Sequence, residues 1–73
     1  MTNIDEKRAR FKRLAAQRTT NVVTALRILG NCGNRSTYEY TDEEVRKIFD
    51  EVEHSVEEAK DKFQSQRDRK FRL

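Results

Sequence analysis

Between Val45 and Phe63 the apolar residues Val45, Phe49, Val52, Val56, Ala59 and Phe63 recur at intervals of four, three, four, three and four. That spacing is a heptad seam, and it constrains the chain more than any other feature. A strand would alternate every second residue, whereas a 4-3 rhythm places every apolar side chain on one side of an α-helix. Ile48 widens the seam by one position. The segment opens on Thr41-Asp42-Glu43-Glu44. In such a capping box the threonine hydroxyl accepts the N–H three residues on, while the glutamate reaches back to the threonine N–H. Three carboxylates in the first turn also complement the positive end of the helix dipole. The spacing therefore predicts a helix over about 42–66, roughly 37 Å long at 1.5 Å per residue. His54 falls off the seam and is expected to be exposed.

A second helical pattern precedes it. Asn3 is a suitable cap with Asp5 and Glu6 behind it, so a helix is expected over about 4–29. Ala15, Thr19, Val22, Leu26 and Leu29 form its seam, and Phe11 and Leu14 extend the apolar pattern toward its start. Val23 and Ile28 lie off the seam, so the later half is apolar over a broad arc that one neighbour does not cover. Gly30 is expected to end this helix as a left-handed C′ residue. The absence of proline suits two uninterrupted helices.

The chain has 73 residues, 40% of them charged and only 34% hydrophobic. A chain this short buries about 60% of its unfolded surface, and small scaffolds commonly add a metal, disulfides or further copies of themselves. One cysteine, Cys32, makes no internal disulfide. With the single His54 far from it in sequence, no metal site and no cofactor is expected. Self-association is the remaining remedy. The expected fold is all-α: an antiparallel two-helix hairpin, one domain over 1–73, with a structured loop over 30–41 and a basic tail over 67–73, dimerising into a four-helix bundle. No apolar run is long enough for a membrane span. The charged N-terminus does not read as a signal peptide, and a free thiol without an export signal points to a cytoplasmic setting.

The net charge of +3 conceals a segregation. The stretches Lys7 to Arg18 and Lys60 to Arg72 hold 12 of the 16 basic residues and two of the 13 acidic ones, a balance of +10 against −7 for the remainder. In an antiparallel hairpin these stretches converge at the open end. Arg8, Arg10, Lys12, Arg13, Arg67, Arg69, Lys70 and Arg72 are therefore candidate nucleic-acid contacts. Arginine forks match phosphates, and Phe11 and Phe71, interleaved among the cations, offer stacking surfaces. Solvated helix faces give the same composition. Cations late in the second helix also complement its dipole, but cations early in the first oppose theirs.

The connection holds both glycines, the cysteine and both tyrosines. It is rich in turn formers, and Tyr40 stands where a hydrophobic staple would reach Val45. Asn31, Asn34, Arg35, Tyr38 and Tyr40 are read either as a plug for the end of the bundle or as a surface for a protein partner. "LGNCGNRSTYEYTDEEVRKIF", Leu29 to Phe49, resembles the core pattern of a family of short helix-loop-helix proteins of Gram-positive bacteria and their plasmids and integrative elements. Its specific parts are Leu29-Gly30-Asn31, Asn34-Arg35 and Tyr38-Glu39-Tyr40-Thr41, and the similarity extends from about Phe11 to Phe63. The resemblance implies a bacterial cytoplasmic accessory of mobile DNA and implies no activity.

The pattern offers no buried pair of carboxylates, no nucleophile with a base, no glycine-rich phosphate loop and no evident small-molecule pocket. The expected function is thus a non-enzymatic helical interaction protein that binds itself or a protein partner. The alternative is a nucleic-acid-binding accessory or regulator that uses the basic end of the hairpin.

Overall fold

The computed structural model describes residues 3–68. Its secondary structure is entirely helical: α1 spans Asn3–Gly30, a single 3₁₀ turn spans Asn31–Gly33, and α2 spans Asp42–Asp68. The chain divides between Tyr38 and Glu39 into two units, Met1–Tyr38 and Glu39–Leu73, and each is described by itself.

The first unit is built on α1. Its 28 residues correspond to about 42 Å of helix. Asp5 and Glu6 occupy the first turn and Arg27 the last, the arrangement that complements the dipole at both ends. The helix starts within the expected window but ends differently from expectation. Gly30 adopts φ −61° and ψ −25°, the right-handed helical region, and no described residue has a left-handed φ. Instead of reversing at a left-handed glycine, the chain tightens into the 3₁₀ turn. Such i→i+3 turns are a common alternative way to close a helix end and engage its last carbonyls. Asn34 then leaves the turn with an extended backbone, φ −74° and ψ 104°, its N–H directed at the Asn31 carbonyl at 3.4 Å. The irregular connection is accordingly shorter than the expected 30–41 and covers residues 34–41.

A turn centred on Asn34 completes the first unit. Its carboxamide Oδ1 accepts the Ser36 N–H at 3.0 Å and the Ser36 hydroxyl at 2.6 Å. Its backbone carbonyl accepts the N–H groups of Thr37 at 3.1 Å and Tyr38 at 2.9 Å. Asparagine suits this position because its short side chain substitutes for a backbone acceptor two residues away.

The second unit is α2 with the residues leading into it. The capping box forms as its sequence dictates. The Thr41 N–H donates to Glu44 Oε1 at 2.8 Å and the Glu44 N–H donates to Thr41 Oγ1 at 3.1 Å, so each residue satisfies the other's orphan donor. The first backbone bond of the helix, from the Val45 N–H to the Thr41 carbonyl, measures 3.1 Å. Tyr40 and Val45 are both half-buried, the disposition a hydrophobic staple produces. The helix runs through Asp68, two residues past the expected end, because nothing in Ser65-Gln66-Arg67-Asp68 breaks it and Arg67 in the last turn complements its dipole. Arg67, expected in the tail, is therefore helical. The rest of that expected tail, with Arg69, Lys70, Phe71 and Arg72, lies outside the described residues.

No described residue is buried. The least exposed side chains are Leu14, Ala15 and Leu29 in the first unit and Tyr40, Val45 and Val52 in the second. All of these except Leu14 are seam or staple positions. Ile28 is 62% exposed, Val22 56%, Ile48 43% and Phe49 41%. Each helix thus carries an apolar stripe facing outward. No helix is long and apolar enough to cross a membrane among the described residues.

Candidate functional site

The basic segment of α1 is the most distinctive surface of the first unit. From Lys7 to Arg18 the helix carries six cations and no acid, all of them exposed. Successive side chains on an α-helix step by about 100° around its axis. Ile4 and Phe11, seven residues apart, therefore stand one above the other. Lys7 follows Ile4 by three residues, Arg8 by four and Lys12 by eight, which ranks the three cations along the edges of the Ile4–Phe11 ridge. Together Ile4, Lys7, Arg8, Phe11 and Lys12 line a shallow open hollow on the helix surface. Arg10 and Arg13 fall on the far side of the helix by the same count.

The structure thus divides the expected nucleic-acid set. Arg8 and Lys12 line the hollow, Arg10 and Arg13 share the helix but not the hollow, and Arg67 lies exposed on α2 in the other unit. Ile4 and Lys7 join the hollow although neither belonged to the expected set. The signal that finds them is the i, i+7 relation of Ile4 to Phe11, both within the helix expected over about 4–29.

The expected partner-binding residues are also divided. Asn31, Asn34 and Tyr38 belong to one hydrogen-bonded turn, in which Asn34 is the acceptor for three backbone N–H groups. Its side-chain oxygen is thus committed to shaping the loop. Arg35 is exposed within the same turn, and the Tyr38 ring is 51% exposed. Tyr40 stands apart in the second unit, half-buried in front of the capping box. Cys32 is exposed in the 3₁₀ turn.

No protein-family model, curated protein or solved structure matches the chain.

On α2 the charges are arranged around the seam rather than along it. Acidic doublets recur every seven residues, at Glu43-Glu44, Asp50-Glu51 and Glu57-Glu58, and so stack along the side away from Val45, Val52 and Ala59. Two local ion pairs engage the last of these doublets. His54 Nε2 lies 3.4 Å from Glu58 Oε2, and Lys60 Nζ lies 3.5 Å from Glu57 Oε2, with all four side chains well exposed. As expected, His54 projects into solvent. Pairs this exposed contribute little to stability. Among the described residues no group of three or more His, Cys, Asp or Glu side chains is placed to hold a metal ion.

Proposed function

We propose that the protein is a small non-enzymatic interaction module that works by self-association. In this reading α1 and α2 fold back as an antiparallel hairpin, and two hairpins combine as a four-helix bundle. The observation that carries it is the outward apolar stripe on each helix. Val22, Leu26 and Ile28 on α1 and Ile48, Phe49, Val56 and Phe63 on α2 are all exposed, and no described residue is buried. Helices gain most of their stability in water from packing an amphipathic face. Burial of a side chain such as Phe or Val contributes about 1.5–3 kcal/mol, so a second copy supplies what a chain of this size lacks. The turn around Asn34, with Arg35 and Tyr38 exposed on it, then stands at the closed end of the hairpin as a contact surface for a protein partner. The resemblance in the sequence supplies the setting of the proposal, the cytoplasm of a bacterium and an accessory role in mobile DNA. Sedimentation of the purified protein over a range of concentrations tests it. A dimer is expected, and a well-folded monomer at high concentration overturns it.

A second reading is favoured by the charge of α1, where six cations from Lys7 to Arg18 follow one another without an acid between them. On this reading the protein is a nucleic-acid-binding accessory or regulator, with the basic segment neutralising phosphates. Affinity for nucleic acid then falls steeply as salt rises. Absence of binding at low salt eliminates it.

A further inference from the structure

We propose that the hollow formed by Ile4, Lys7, Arg8, Phe11 and Lys12 is a binding site for single-stranded nucleic acid, with an unpaired base stacked on the Phe11 ring and phosphates held by the three cations. The inference rests on the second reading above and gives it a place and a substrate class. Three observations converge on it.

The first is an apolar floor open to solvent. Ile4 is 66% exposed and Phe11 57%, and they lie beside each other on one ridge of α1. An aromatic face set among cations is the combination that single-strand binders use, because every base has a stackable face whereas its hydrogen-bonding edges vary. Second, the cations are crowded together with no acid among them. Lys7 and Arg8 lie in the second turn of α1, directly behind the acidic first turn. Asp5 and Glu6 take the first turn, and no acid follows before Arg18. A bound polyanion relieves the repulsion among these cations. Third, the dimensions are small. Lys7 to Lys12 spans about 7.5 Å along the axis, room for one base with its adjoining phosphates.

The same features select a single strand over the other polyanions. In a duplex the base faces are stacked on one another and a ring on a flat helix side does not reach them, so Phe11 would add nothing to duplex affinity. An anionic bilayer would engage the cations too. However, a bilayer would bury the whole apolar stripe that continues from Phe11 through Ala15, Val22, Leu26 and Leu29, whereas the cations concentrate beside its first part alone.

The test uses the full chain at low salt. Fluorescence anisotropy is measured with a labelled oligothymidylate and with the same strand paired to oligoadenylate, and co-sedimentation with phosphatidylserine vesicles. The single strand is expected to bind at least tenfold more tightly than the duplex, with vesicle binding independent of Phe11. Phe11→Leu should weaken single-strand binding about tenfold without changing the salt slope, and Phe11→Tyr, which keeps the ring, should bind as the parent does. Circular dichroism confirms that both variants stay helical. Combining Lys7→Gln, Arg8→Gln and Lys12→Gln should lower the salt slope by about 2, from about 0.7 per phosphate contact on a single strand. Equal affinity for strand and duplex, or a Phe11→Leu variant that binds as the parent does, overturns the hollow and leaves the basic-segment reading standing. Loss of all nucleic-acid binding in the parent protein overturns both.

Discussion

α1 and α2 are nearly equal in length, 28 and 27 residues, and opposite in charge. α1 carries seven basic and two acidic side chains, a net of +5, while α2 carries five basic and ten acidic, a net of −5. They also distribute those charges differently. On α2 the acids recur in doublets behind a regular seam, and the helix is defined at its start by a reciprocal cap. On α1 three cations, Lys7, Arg8 and Lys12, flank an apolar ridge at its beginning, and the helix ends without a specialised cap. On the readings proposed above, α2 is organised for packing along its length, whereas α1 divides the tasks. Its later half, from Ala15 to Leu29, offers packing surface, and its earlier half offers charge with an exposed ring.

The sharpest way to break this comparison is to truncate one phenylalanine on each helix. In the proposed bundle Phe49→Ala should cost about 3–5 kcal/mol in urea denaturation and dissociate the dimer. Phe11→Ala should leave stability within about 0.5 kcal/mol, as is usual for surface positions. Equal losses at the two sites would mean that α1 packs along its whole length. Next in size is the cap of α2. Thr41→Ala removes the acceptor for the Glu44 N–H, with an expected loss of about 1 kcal/mol, and Thr41→Ser should retain most of it. The end of α1 predicts a change of opposite sign. Gly30 is right-handed, and a Cβ built there meets nothing within 4 Å. Gly30→Ala should therefore stabilise the protein by about 0.4–1 kcal/mol, seen as a higher melting temperature. A left-handed C′ glycine would instead be destabilised by the same change. Smallest of all, Lys60→Ala and His54→Ala should give no resolvable change in stability, since their partners Glu57 and Glu58 are exposed.

Both helices were legible in the sequence, and for a physical reason. A heptad rhythm such as Val45–Phe63 and a capping box such as Thr41–Glu44 act between residues three and four apart, and that separation is already written in the chain. The start of α1, the exposure of His54 and the half-buried pair Tyr40 and Val45 follow from the same local logic. The candidate site was legible only in outline. That Arg8 and Lys12 belong to a cationic surface follows from composition, but their grouping with Ile4 and Lys7 and their separation from Arg10 and Arg13 require the helical phase. Asn34 reads equally well as a contact residue and as the acceptor at the heart of a turn. Its chemistry allows both, and only the positions of Ser36, Thr37 and Tyr38 around it decide.

The chain's own order of residues thus determined two helices, the reciprocal cap that begins the second, and the apolar stripe along each, because these depend on near neighbours and on a fixed helical step. The structure alone decided the backbone at Gly30, the 3₁₀ turn that follows, the turn gathered around Asn34 and the hollow beside Phe11. Glycine adopts right- and left-handed conformations at nearly equal energy. Its choice is therefore set by how the following residues close the helix rather than by its own chemistry.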